Sequence, residues 1–210
     1  MNRTYAVETS AALGALGAAL LLNHRLGRLA SDLGESGPQA ADSLLAALPI
    51  LDTRLLFTWG FGLFVLLAIV VALTRERDRL GWIAWSYALL ITVRGVCVLL
   101  TPLHAPAGAL WVAGDPLYER LGRYLTFPND LFFSSHTALP FLGALLFRDR
   151  AARAACLALS VTLAATVLLA RLHYSIDVAA AYAFAYGTQQ ANRRWLRPLY
   201  RRFKQGGWPL

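Results

Sequence analysis

"LLFTWGFGLFVLLAIVVAL", residues 55 to 73, runs for 19 positions without a charged side chain. A helix of that length is about 28 Å long, close to the roughly 30 Å hydrocarbon core of a bilayer. No period-two alternation runs through it, so the pattern is that of a membrane-spanning helix and not of a barrel strand. The rest of the chain has the same character. Of 210 residues, 57% are hydrophobic and 15% charged, and the mean hydropathy is +0.48. That is too apolar for an ordinary soluble domain.

Five more apolar segments flank this one, at about 8–23, 80–103, 131–147, 154–172 and 174–190. The fold class read from them is all-α. It is a polytopic membrane protein with a six-transmembrane-helix bundle over residues 1–192 and a basic cytoplasmic tail over 193–210. Arg3 and the Ala/Leu/Gly run after it also fit a secretory signal peptide. Glu8 interrupts that run and no small-residue cleavage site precedes a soluble domain, so a retained helix is expected. "PQAADSLLAALP" (38–49) and "DPLYERLGRYLTFP" (115–128) read as short interfacial helices in the outer loops. The first would start at Asp42 or Ser43, the second at Asp115-Pro116.

Charge orients the bundle. The net charge is +8, and Lys204 is the single lysine. Arg3, the group Arg75, Arg77 and Arg79, the group Arg148, Arg150 and Arg153, and the tail cations from Arg193 to Lys204 all fall on one side of a six-helix chain. The positive-inside rule makes that side cytoplasmic, with both termini there. Basic residues between apolar runs carry topology and affinity for anionic lipid, so no nucleic acid partner is expected. The expected location is the cell (inner) membrane, multi-pass. Cys97 and Cys156 lie inside apolar runs with no CxxC spacing and read as small buried hydrophobes. Small-residue faces such as "GALGAAL" leave a homo-oligomer open.

Two polar clusters interrupt the apolar pattern. One is "NDLFFSSHTALPF" (129–141), the other "RLHYSIDVAAAYA" (171–183). His173 and Asp177 are four residues apart and share a helix face. An aspartate that accepts from one ring nitrogen leaves the other free as base or nucleophile. A pair that merely satisfies itself is the structural alternative. His136 begins the fourth segment and His173 the sixth, so the topology puts both at the outer boundary. Two histidines and an aspartate suit phosphoryl transfer: one histidine attacks phosphorus, the aspartate orients it, and the other protonates the leaving oxygen. Positive charge for the phosphate would come from Arg94, inside the third segment, with Arg171 a second candidate. Zinc on Asp130, His136, His173 and Asp177 ranks low, because no HExxH or Cys/His spacing supports it. No metal and no other cofactor is expected.

These residues carry a resemblance. "NDLFFSSHT" followed by "HYSIDVAAAY" is similar to the sphingomyelin synthase-like branch of the type 2 phosphatidic acid phosphatase superfamily. Asp130, Ser134, His136 and Thr137 match its first histidine motif; His173, Tyr174, Asp177, Val178 and Tyr182 match its second. "PILD", ending at Asp52, and Arg94 with Thr101-Pro102 resemble two upstream elements. Asn129 and Ser135 stand where the branch has glycine, Pro128 where it has cysteine, and Ser175 where it has threonine. The resemblance implies a six-helix membrane fold whose site faces the periplasm or extracytoplasmic side. It implies a catalytic triad of His136, His173 and Asp177, with Asp130, Arg94, Ser134, Thr137, Tyr174 and Asp52 around the substrate. The implied reaction moves a phosphocholine- or phosphoethanolamine-type head group from a glycerophospholipid to a ceramide-like acceptor through a phosphohistidine. The partners would be membrane phospholipid and ceramide-like or diacylglycerol-type lipids. A lipid phosphatase or phospholipase C-type hydrolase with the same triad is the alternative. A non-catalytic lipid transporter or scramblase is the second.

Overall fold

The structure, a computed structural model, describes residues 3–196, and those residues are helical with no strand. In chain order the α-helices are α1 (Arg3–Gly34), α2 (Ser43–Ala47), α3 (Phe61–Thr74), α4 (Leu80–Leu100), α5 (Pro116–Arg120), α6 (Ser135–Leu146), α7 (Arg150–Leu169) and α8 (Ser175–Ala191). A π turn, Leu56–Gly60, leads into α3, and another, Asn192–Leu196, follows α8. Beyond that turn, the basic tail expected from the sequence lies outside the described residues.

Among the described residues, four helices are long and apolar enough to cross a membrane: Tyr5–Gly34, Leu56–Thr74, Arg77–Leu100 and Arg150–Leu169. Helix α6 has 12 residues and α8 has 17. Helix α6 is shorter than its apolar segment because 129–134 ahead of it stays non-helical. In that stretch Asn129, Asp130, Leu131, Phe133 and Ser134 are all buried, so protein and not lipid surrounds the irregular backbone.

The first apolar segment is longer than the sequence pattern predicts. The helix does not stop near residue 23 but runs to Gly34, so 24–34 is not a loop. Ala12, Ala19, Asn23, Gly27, Ala30 and Gly34 are buried along it at helical spacing, and this face packs against α4. Gly95 permits the approach: a Cβ there would meet Leu26 Cδ1 at 3.2 Å. The second short outer helix is also shorter than expected. Asp115 caps it by accepting from the Leu117 and Tyr118 amides, but α5 ends at Arg120 and a 3-10 turn, Gly122–Tyr124, follows.

Helix α6 packs between α7 and α8 and also touches α4. Both ends of the bundle are tied by polar contacts. At the basic end, Arg75 pairs with Asp149 at 2.6 Å and Arg148 with Asp78 at 3.0 Å. Buried Glu76 receives Arg79 at 3.0 Å and the Arg148 amide at 2.5 Å. These contacts join the α3–α4 and α6–α7 turns, and Tyr5 on α1 donates to the Arg77 carbonyl beside them. At the other end, Asp42 binds two helix starts. It accepts from the Leu45 amide of α2 at 2.9 Å, from the Ser175 amide of α8 at 2.6 Å and from the Ser175 hydroxyl at 3.0 Å.

Burial pushes the Asp42 carboxyl up, but the donors from Leu45 and Ser175 together hold it below its usual range. A carboxyl lowered by folding stabilises the fold above its unfolded value, near pH 3.9, and that contribution fades as pH falls through the folded value. Asp42→Asn should therefore lower the midpoint of thermal unfolding at pH 7. A shift of roughly 2–4 °C corresponds to about 1 kcal/mol for a chain of this size. The gap to the parent protein should close below about pH 4. Melting curves in detergent at the two pH values measure it, and an equal gap at both would count against the charge.

Candidate active site

The start of α8 is built from carboxylates. Asp177, in its first turn, accepts from the Tyr174 amide at 2.9 Å and from His173 Nδ1 at 3.3 Å, both on Oδ2. Its own carbonyl accepts from the Ser134 amide at 3.2 Å, which fastens the start of α6 to the start of α8. So Asp177 is at once a helix cap and the group that fixes the imidazole. With Nδ1 committed, Nε2 is the nitrogen of His173 left for chemistry. Asp177 Oδ1 is buried without a protein partner.

His136 enters from the first turn of α6. Its ring stacks on Phe57 at 3.8 Å with an interplanar angle of 20°, and lies 4.3 Å from Phe61. Phe57 belongs to the π turn that leads into α3, an irregularity frequent at functional sites. His136 Nδ1 is buried and unpartnered.

Arg94, on α4, supplies the third side. Its guanidinium donates from Nε to the Phe133 carbonyl at 2.8 Å and from Nη1 to Asn23 Oδ1 at 3.2 Å and Asp130 Oδ2 at 3.1 Å. Nη2 donates to the Asp130 carbonyl at 3.2 Å and lies 3.0 Å from Asp130 Oδ1. Both ionic side chains are buried.

Arg94, Asp130, His136 and His173 line one cavity, together with Phe57, Trp111, Thr126, Phe127, Ser135 and Leu172. Its volume, about 10 Å³, is enough for about one water molecule. Phe127 reaches this wall because α1 carries Gly27 there: a Cβ on Gly27 would come within 2.9 Å of the Phe127 ring. Among the described residues, no three His, Cys, Asp or Glu side chains converge to hold a metal ion.

The other residues singled out in the sequence lie off this cavity's lining. Ser134 and Thr137 are fully buried and face each other, with the Thr137 hydroxyl donating to Ser134 Oγ at 3.4 Å. Tyr174 donates its hydroxyl to the His104 carbonyl at 2.9 Å and accepts from the Ala40 amide at 3.1 Å. It is a latch between the loops that carry Ala40 and His104. Asp52 pairs with Arg54 at 2.8 Å on the exposed surface, where the guanidinium's hydrogen bonds hold its carboxyl down at about 2. Arg171 donates to the Leu48 carbonyl at 3.4 Å, and its backbone is left-handed (φ 57°) where the chain turns out of α7.

The sequence reading missed Asn23, Phe57 and Trp111. Asn23 left a signal, a buried amide in an apolar segment that must find a partner. The aromatic residues left none, since an interfacial belt needs the same residue types.

Arg94→Met strands the Asp130 carboxylate in a buried site and should cost about 3–5 kcal/mol. The double substitution Arg94→Met with Asp130→Leu should recover a large part of that loss. Thermal unfolding of the three proteins in detergent measures it, and a double variant no better than the single would show that the pair is not the linchpin.

Comparison with protein-family models, with curated proteins and with solved structures finds no match to this chain.

Proposed function

We propose that this chain is an integral membrane lipid phosphotransferase. It moves a phosphocholine- or phosphoethanolamine-type head group from a glycerophospholipid to a ceramide-like acceptor. The observation that supports this most is the convergence of His173, held through Nδ1 by Asp177, with His136 and Arg94 on one buried cavity. The resemblance of both histidine motifs to the sphingomyelin synthase-like branch points the same way. In this reading six segments cross the membrane, α6 and α8 included, and α2 and α5 lie at the interface. The basic end is cytoplasmic and the cavity opens toward the periplasmic or extracytoplasmic side.

The chemistry runs in two balanced halves. His173 Nε2 attacks phosphorus, the bond from phosphorus to the diacylglycerol oxygen breaks, and His136 as imidazolium gives that oxygen its proton. The acceptor hydroxyl then gives its proton to His136 and its oxygen attacks phosphorus. The phosphorus–nitrogen bond breaks and His173 is restored. Asp177 keeps the tautomer that leaves Nε2 free. Arg94 is the cation on the cavity wall, but it lies there paired with Asp130, so its charge meets a phosphate only when that pair loosens. A lipid phosphate is far larger than the resting cavity, so the Phe57, Trp111 and Phe127 wall must open to admit it.

The same observation favours a second reading. A resting cavity with room for about one water suits water, the smallest acceptor, in place of a lipid alcohol. Hydrolysis by the same triad would make the chain a lipid phosphatase or phospholipase C-type enzyme.

Purified protein in micelles, given labelled phosphatidylcholine or phosphatidylethanolamine with and without ceramide, separates the readings. A labelled sphingolipid that needs both ceramide and His173 is expected. His173→Ala should abolish it, and Asp177→Asn should slow it by roughly 10²-fold or more. Diacylglycerol released irrespective of ceramide would establish hydrolysis. Turnover unchanged in His173→Ala would remove the enzyme reading altogether.

A further inference from the structure

A second concavity lies outside the catalytic cavity. It is a cleft of about 660 Å³ between α4 and α8, lined by Leu89 and Val93 on one side and by Ala183, Phe184, Gly187 and Trp195 on the other. That volume is in the range of ligand-holding clefts, roughly 300–1,000 Å³. From Ala183 to Trp195 the helix axis advances about 18 Å, comparable to one leaflet's half of a ~30 Å core. The cleft runs from mid-bundle toward the basic end, because α8 descends from its carboxylate-capped start to the arginines of the π turn.

Its inner end is walled off from the catalytic cavity. Phe184 stacks on Phe133 at 4.6 Å and 15°, and the Phe133 carbonyl is the one that receives Arg94. A lipid with its head in the catalytic cavity would therefore not reach the cleft directly. The other end is dressed for an interface. Trp195 is 66% exposed, and Trp85, one turn below Leu89 on α4, is 39% exposed. Arg193 and Arg194 immediately precede Trp195 and are exposed. Of the carboxylates toward the basic end, Glu76, Asp78 and Asp149 are engaged by Arg79, Arg148 and Arg75, Glu8 on α1 has no hydrogen-bond partner, and no ion pair among the described residues neutralises Arg193 or Arg194.

We infer that this cleft seats one anionic glycerophospholipid from the leaflet at the basic end of the bundle. One acyl chain lies along Gly187 and the phosphate meets Arg193 and Arg194. The glycine leaves the space: a Cβ at Gly187 would meet nothing within 4 Å. The inference does not depend on the catalytic reading, since none of these residues touches the histidines' cavity and the test involves no turnover.

The test is native mass spectrometry of the full chain from mixed micelles with equal amounts of phosphatidylglycerol and phosphatidylcholine. The parent protein should retain one phosphatidylglycerol preferentially. Gly187→Leu, or the exposed Ala183→Leu, fills the cleft and should remove that retained lipid while leaving the thermal unfolding midpoint in place. Either variant suffices if the other fails to fold. Arg193→Gln with Arg194→Gln should lower the preference by roughly 5-fold for each arginine removed, equivalent to about 1 kcal/mol apiece. Equal retention of the two lipids, or a preference that survives a filled cleft, would mean general annular lipid only and would overturn the inference.

Discussion

The Arg94–Asp130 pair is the constraint on which the rest of this structure depends. A guanidinium inside an apolar helix is expensive unless every donor is met, and here its donors are spent on protein groups. Those groups lie on α1 and on the non-helical 129–134 stretch just before α6, and Arg94 itself is on α4. One side chain thus gathers three segments that are far apart in sequence. The irregular stretch stays irregular at depth because Arg94 takes up its Asp130 and Phe133 carbonyls. Helix α6 then begins where it does, with His136 in its first turn.

The same economy recurs at Asp177. Its carboxylate caps α8 and holds His173, and its carbonyl takes the Ser134 amide. The histidine pair is therefore positioned by groups that the fold already needs. If the proposed reaction holds, this is efficient pre-organisation, because a rotamer locked by capping bonds loses no further freedom when a substrate binds. It also means that a structural role for Asp177 and a chemical one are the same set of contacts. Only kinetics on His173 and Asp177 variants separate them.

The bundle is asymmetric along its axis. One end is closed by arginine–carboxylate pairs and a buried glutamate; the other is closed by Asp42, Tyr174 and the backbone of crossing loops. The histidine cavity belongs to the second end, the α4–α8 cleft to the first. The Phe133–Phe184 stack stands between them, so the residue that receives Arg94 also closes the cleft. Any lipid pressed against Phe184 would bear on the element that frames the cavity.

What the sequence by itself determined is local and periodic. The 19-residue uncharged run, the helical character of the apolar segments, the Asp42 and Asp115 helix starts and the i,i+4 relation of His173 and Asp177 all follow from spacing. The length of α1 did not, because Asn23, His24 and Arg25 look like a loop until α4 is there to cover the face that Asn23 shares with Gly27 and Ala30. Nor did the division of the motif residues. Ser134, Thr137 and Tyr174 look the same in sequence as Asp130 and His136, yet they bind one another or the loops and not the cavity. The aromatic wall around His136 comes from a π turn some eighty residues upstream of it. Period and capping act between neighbours along the chain and can be read from one sequence. Which buried polar group meets which is settled only when the helices pack and each donor must find an acceptor away from water, and that is a property of the tertiary structure.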